Sequence, residues 1–283
     1  MLLRSICDIT LICSTARVGS SREAWMEASD TRCGQPVLLV RHFKKSYGKK
    51  LVVPDLSLEV CPGDVYGFVG HNGAGKTTLI RSIVGAQPFD GGTISVAGFD
   101  VARQPIECKR RMAYVPDNPD IYDFMTGIGY LDYVGALFGV VGEERISRIQ
   151  LLSDRLGMVD VLGDYVSSYS HGMRQKLVLI SALLHNPELI VLDEPFVGLD
   201  PLAIHEAKVL LHEHAERGGA VFFSSHVLEV VEKLCNKVAL IRSGELLAAG
   251  PTDEVRGDGS LEEAFLGIAD NAGSVSAAPS REE

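Results

Sequence analysis

Two short stretches of this chain carry residue types and spacings suited to phosphate chemistry. The first is Gly70-His71-Asn72-Gly73-Ala74-Gly75-Lys76-Thr77-Thr78, which fits the pattern G-x-x-x-x-G-K-T. Its glycines allow positive φ and let the backbone come close to an anion. Successive backbone N–H groups and the N-terminus of a following helix would then face phosphate oxygens. Lys76 is expected to reach β- and γ-phosphates, and the Thr77 hydroxyl to ligate Mg2+. The second stretch is Asp193-Glu194, directly after the apolar run Leu189-Ile190-Val191-Leu192. Asp193 is placed to hold Mg2+ through water, and Glu194 to accept a proton from an attacking water. An acidic pair at a strand end is equally well explained by solvation or helix capping when read alone. Beside a phosphate loop it reads as catalytic.

Both stretches need strands behind them. Val65 to Val69 is a run of β-branched and aromatic residues, typical of a buried strand, and a helix should run from Thr77 to about Val84. In open α/β sheets, ligands bind beyond the C-terminal edge of such strands. Val37–Phe43 reads as an edge strand, followed by a turn at Tyr47-Gly48. Leu56–Val60, Thr93–Val96, Met112–Val115 and Ala220–Ser224 are further strands, and Val238–Arg242 with Glu245–Ala249 forms a hairpin. From Asp117 to about Tyr169 the apolar spacing turns helical. Thr126 is placed to cap a helix over Ile128–Phe138, and Glu143–Leu156 sets Ile146, Ile149, Leu152 and Leu156 on one face. Helices follow over Gly172–Leu184, Pro201–Glu216 and Val227–Leu234. Ser260-x-x-Glu263 is a capping box for a last short one.

The 283 residues are 46% hydrophobic, enough for a substantial core. A net charge of -10 argues against nucleic acid as the main partner. The six cysteines form neither Cys-x-x-Cys nor a metal-ligand spacing with histidine, as in a reduced, cytosolic protein. Cys61 and Cys235 sit in apolar settings as small buried residues. No apolar run approaches the roughly 18–20 residues that span a bilayer. Residues 1–35 are expected to form a poorly structured extension, with Met26 an alternative start. From Ala269 the small, polar tail is expected to be disordered.

The phosphate loop together with Ile190-Val-Leu-Asp-Glu-Pro195 resembles the ATP-binding subunit of ABC transporters. Tyr169-Ser-His-Gly-Met-Arg-Gln-Lys176 resembles that family's signature sequence, Gly198-Leu-Asp200-Pro its D-loop, and Ser224-Ser-His226 its switch histidine. Tyr47 lies where the family places an aromatic that stacks on adenine. The resemblance covers Val37 to Ile268. It implies an α/β fold: a P-loop NTPase core with a mixed sheet, an antiparallel β subdomain, and an inserted α-helical subdomain over about residues 117–172, all within 36–268. It implies an ATPase that uses ATP and Mg2+. Ser170 and the N–H of Gly172 would contact the γ-phosphate held by an opposite subunit, and Asp200 would cross that interface. His226 would orient Glu194 and water. Thr77, Asp193 and Asp117 would be the Mg2+ ligands.

The implied partners are a second ATP-binding subunit, identical or not, and an integral-membrane permease. The subunit would lie in the cytoplasm against the inner face of the membrane. Residues 117–133 would meet the permease, with Tyr122, Phe124 and Tyr130 lining a groove or packing as core. Three positions depart from the family pattern: Asp117 stands where glutamine is usual, His171 where the first signature glycine is, and Met173 where another glutamine is. These point to the bacterial exporter-type branch. The alternative is a soluble ABC-type ATPase serving ribosomes, DNA or iron–sulfur assembly.

Overall fold

Strands β1 (Leu38–Tyr47) and β2 (Lys50–Val60) form an antiparallel hairpin. The computed structural model describes residues 34–274, with side chains as far as Ile268; the expectations for the first 33 residues and for 275–283 lie outside the described residues. The chain crosses to a second sheet with β3 (Val65–Val69), and helix α1 (Lys76–Ile83) leaves the phosphate loop. It then returns with β4 (Gly91–Val96) and β5 (Phe99–Asp100), giving a four-stranded sheet in the order β2-β1-β4-β5. β1, expected at an edge, is therefore flanked on both sides, with Leu38 opposite Val60 and Val96. Its buried residues Leu38, Val40 and Phe43 explain why: they need cover from both neighbours.

Helix α2 (Pro105–Arg111) leads into β6 (Met112–Val115). Next come α3 (Gly127–Leu137), α4 (Gly142–Arg155), two short 3-10 turns, and α5 (His171–Leu184). The Thr126 hydroxyl caps α3 by accepting from the Gly129 N–H at 3.2 Å. On α4, Ile149 and Leu152 are buried, as is Leu156 at its end. Ile146, expected on the same face, is 64% exposed, because α5 covers only the C-terminal part of that stripe. The remaining elements are β7 (Leu189–Asp193), α6 (Pro201–Glu216), β8 (Ala220–Ser225), α7 (Leu228–Leu234), β9 (Lys237–Arg242), β10 (Glu245–Pro251), α8 (Thr252–Arg256) and α9 (Leu261–Ser274). The capping box of α9 is reciprocal. Ser260 N–H donates to Glu263 Oε2 at 3.0 Å, and Glu263 N–H donates to the Ser260 hydroxyl at 3.2 Å. This helix runs six residues past Ile268, where the sequence suggested a disordered tail; Ala269–Ser274 contains no proline to stop it.

The second sheet has the order β10-β9-β3-β8-β7-β6, parallel except for β10. Alternate side chains on its strands feed two separate cores. Val69, Leu192, Phe223 and Leu240 join α4, α5 and α6 on one face. Phe68, Val191, Phe222 and Ile241 join α1 and the first sheet on the other. Phe222 and Phe223 are fully buried, each contributing about 1.5–3 kcal/mol over exposure. Cys61 and Cys235 are buried, as expected for small residues in apolar settings, and Cys108 and Cys235 are free thiols. Among the described residues no helix is long and apolar enough to cross a membrane.

Candidate functional site

The parallel strands β3, β6, β7 and β8 end on one edge of the sheet, so the segments that follow them are neighbours. β3 delivers the phosphate loop. A Cβ on Gly70 would lie 2.3 Å from the Ile241 carbonyl, so the loop packs onto β9 only because this residue has no side chain. Gly75, at φ +108°, starts α1. The Lys76 side chain is 6% exposed and folds back over the loop. Its ammonium donates to the Gly70 carbonyl at 2.6 Å and the His71 carbonyl at 3.5 Å, and lies 3.6 Å from Glu194 Oε1. The rest of the loop is shaped by the Ala74 N–H, which donates to the His71 carbonyl at 3.1 Å; Asn72 and Gly73 form the exposed turn between them. Thr77 and Thr78 open α1 and are partly buried.

β7 and β8 deliver the acidic group. Asp193 is 1% exposed. One oxygen accepts from the Ser224 hydroxyl on β8; the other, Oδ2, has no hydrogen-bond partner among the described residues. Burial pushes the Asp193 carboxyl above its ordinary pKa, and the nearby charges of Asp117 and Glu194 add to that, while the Ser224 and Thr77 hydroxyls oppose it. Burial, with the charges of Asp193 and Asp117 beside it, also pushes the Tyr114 phenol up to about 12. Asp117 is exposed after β6 and accepts from the Asn118 N–H at 2.9 Å. The buried Asp193 carboxyl, with one oxygen free of a geometric hydrogen bond and the Thr77 hydroxyl beside it, offers the oxygen donors a hard divalent cation takes, although among the described residues no three His, Cys, Asp or Glu side chains are close enough to hold a metal by themselves. Glu194 adopts φ +48°, costly for a residue with a side chain. That conformation directs its carboxylate to His226, whose Nδ1 is 2.9 Å from Oε1.

Ser170, Gly172 and Asp200 form a separate group. Ser170 Oγ caps α5 by accepting from the Met173 N–H at 3.3 Å. Gly172 packs against the loop before α6: a Cβ there would lie 2.5 Å from the Gly198 carbonyl. Asp200 caps α6 by accepting from the Ala203 N–H at 2.8 Å and pairs with Lys176 at 2.8 Å. The Lys176 ammonium, followed by the Ala203 N–H, holds the Asp200 carboxyl below its ordinary pKa. Among the described residues, no hydrogen bond or ion pair joins this group to the phosphate loop.

Tyr47 is half-exposed, and its hydroxyl donates to Gln87 Oε1 at 2.8 Å. Gln87 in turn donates to the Thr78 carbonyl at 2.7 Å, which ties the tyrosine ring to the start of α1. Gln87 lies outside every motif, and Ser224 and Gln175 sit inside the switch and signature stretches without a role of their own there, so sequence reasoning missed all three. Their partners lie 9 to 59 residues away along the chain, and only the fold brings them together. Of the aromatics assigned to a docking groove, Tyr122 and Phe124 are exposed and 5.6 Å apart. Tyr130 instead packs against the core, and the exposed Tyr133 takes its place beside Tyr122.

Comparison with known proteins identifies the family. The ABC transporter family model matches residues 53–197. An uncharacterized ABC transporter ATP-binding protein of Synechocystis sp. is 37% identical over 75% of this chain; the match spans 60% of that relative's length. The linearmycin resistance ATP-binding protein LnrL of Bacillus subtilis is 33% identical over 76% of this chain and 69% of its own. A solved ATP-binding subunit of an ABC transporter superposes with a TM-score of 0.79 and 30% identity, over 82% of this chain and 99% of that one. The chain belongs to the family of ABC transporter ATP-binding subunits, which are ATPases.

Proposed function

We propose that this chain is the ATP-hydrolysing subunit of a membrane exporter and that it works as a dimer. The observation that carries the reading is the division of the motifs into two groups. Lys76, Glu194 and His226 stand within 3.6 Å and 2.9 Å contacts at the sheet edge, while Ser170, Gly172 and Asp200 stand apart. A second copy turned to face the first would bring its Ser170 and Gly172 to the γ-phosphate held by this copy's loop. Residues 36–268 then act as one ATP-binding domain, with a helical subdomain over about 117–172 that meets a permease.

In that complex Gly70, His71, Asn72, Gly73, Ala74, Gly75, Thr77 and Thr78 wrap the phosphates, and Tyr47 stacks on the adenine. Lys76 gives up its carbonyl partners for phosphate oxygens. Glu194 accepts the proton of an attacking water, and His226 keeps its carboxylate aimed. Mg2+ held by Thr77, Asp193 and Asp117 would offset the negative charge of the β- and γ-phosphates. The exporter direction is supported by the departures at Asp117, His171 and Met173 and by a relative named for linearmycin resistance. Placement at the inner face of the cell membrane follows from a permease partner. The test is Glu194→Gln in the full chain. It should accumulate an ATP-bound dimer on size exclusion; a monomer that hydrolyses ATP normally would sink the reading.

A further inference from the structure

Gln175 lies on α5 and is 1% exposed, at the seam between β6 and β7. These strands pair in parallel, and their last rung joins Val115 to Leu192. Beyond that rung both chains carry a proline, Pro116 before Asp117 and Pro195 after Glu194. Prolines have no N–H, so neither can donate across the gap. The Gln175 amide fills the place. Its Nε2 donates to the Pro116 carbonyl at 3.4 Å and to the Pro195 carbonyl at 3.3 Å. Both partners are acceptors, which fixes the amide nitrogen on that side. One side chain therefore holds the backbone next to Asp117 and next to Glu194.

We propose that Gln175 is a positioning residue for hydrolysis. It sets the separation of Asp117 and Glu194 and locks both to the helix that presents Ser170 and Gly172. This rests on Glu194 and Asp117 acting as proposed above. Nucleotide binding in the monomer uses the phosphate loop and does not pass through Gln175. Loss of the amide should therefore reduce turnover and weaken the response to Mg2+ while leaving nucleotide affinity unchanged.

The experiment compares full-length wild type, Gln175→Met and Gln175→Glu. Methionine fills the space and removes the donor. Gln175→Met should bind trinitrophenyl-ATP within about twofold of wild type, and its kcat should fall about ten- to a hundredfold, as small misplacements do. The Mg2+ concentration for half-maximal rate should rise severalfold. Gln175→Glu has the same shape but sets a carboxylate against two carbonyls; once protonated it offers one O–H donor. Burial raises its pKa, so its activity relative to wild type should recover as the pH falls, and that of Gln175→Met should not. A kcat for Gln175→Met within twofold of wild type would reduce Gln175 to core packing. If Gln175→Met does not fold, Gln175→Glu decides, and no recovery in acid overturns the proposal. Glu194→Gln run in parallel separates the cases: a failure to dimerise there defeats the dimer, whatever Gln175 does.

Discussion

The phosphate-loop group and the Ser170 group are built in opposite ways. The first is closed on itself: Lys76 and Asp193 are buried, and Glu194 is held in a left-handed conformation between Lys76 and His226. The second is open, and its polar groups are busy with local work: Ser170 and Asp200 each cap a helix, and Asp200 also binds Lys176. Buried charge held close needs a ligand to neutralise it; exposed caps at a helix start can be lent to a neighbour. The difference supports the proposed division of labour, in which one group takes the nucleotide and the other is presented outward to a second subunit.

The largest effect should separate chemistry from binding. Glu194→Gln removes the proton acceptor but leaves Lys76 in place, so hydrolysis should drop by about 10²–10⁴ while ATP binding persists. Steady-state rates with equilibrium nucleotide binding check this, and a variant that keeps a tenth of the activity would break the comparison. Ser170→Ala should behave differently. Monomer nucleotide affinity should stay within about twofold, while turnover falls on the order of tenfold through loss of a cap and an anion donor. Asp117→Ala should abolish the Mg2+ dependence of turnover more than Asn118→Ala, because it is the Asp117 charge that Asp193 feels. The reverse order would remove Asp117 from the metal site.

The two groups also differ in how far they could be read from the chain alone. In the phosphate loop the glycines, Lys76 and Thr77 are consecutive, so the stretch Gly70 to Thr78 encodes its turn and the helix after it even though β9, Glu194 and Phe265 pack on it from afar. The β-branched runs of β3, β7 and β8 likewise announced strands buried on both faces. What failed was long-range. β1 reads as an edge strand in the sequence because its second neighbour, β4, comes about fifty residues later. Lys50–Asp55 was not seen as strand because its charged residues hide the pairing with Lys45 and Ser46. The left-handed turn at Glu194 and the link through Gln175 follow from packing, and no residue pattern encodes them.

Acid should disturb the outward group's support through its own helix. His214 lies at the far end of α6, whose start is capped by Asp200, and is 1% exposed. Burial lowers its pKa from 6.5 to about 4, and the charges of Arg217 and His185 add to that. An unfolded chain therefore takes up this proton first as pH falls. The stabilisation is fully present above 6.5 and is lost progressively between 6.5 and about 4, by up to about 3 kcal/mol. Urea midpoints across that window should slope downward in wild type and more gently in His214→Gln. Equal slopes would assign the acid sensitivity elsewhere.

The smallest effect probes what stiffens the phosphate loop. Phe265 of α9 is 3% exposed and meets the His71 ring edge-on at 5.1 Å. His71 is also the residue whose carbonyl receives both the Ala74 N–H and the Lys76 ammonium. The path from α9 to Lys76 is thus one ring contact and one carbonyl long. Phe265→Leu keeps the burial and removes the aromatic edge, a contact worth about 0.5–1.5 kcal/mol. ATP affinity should weaken about two- to fivefold, with kcat unchanged. In a His71→Ala background the same substitution should change affinity no further, since the ring it acts through is gone. If the two effects instead add, α9 merely covers the core, and the loop owes its stiffness to Gly70, Gly75 and β9 alone.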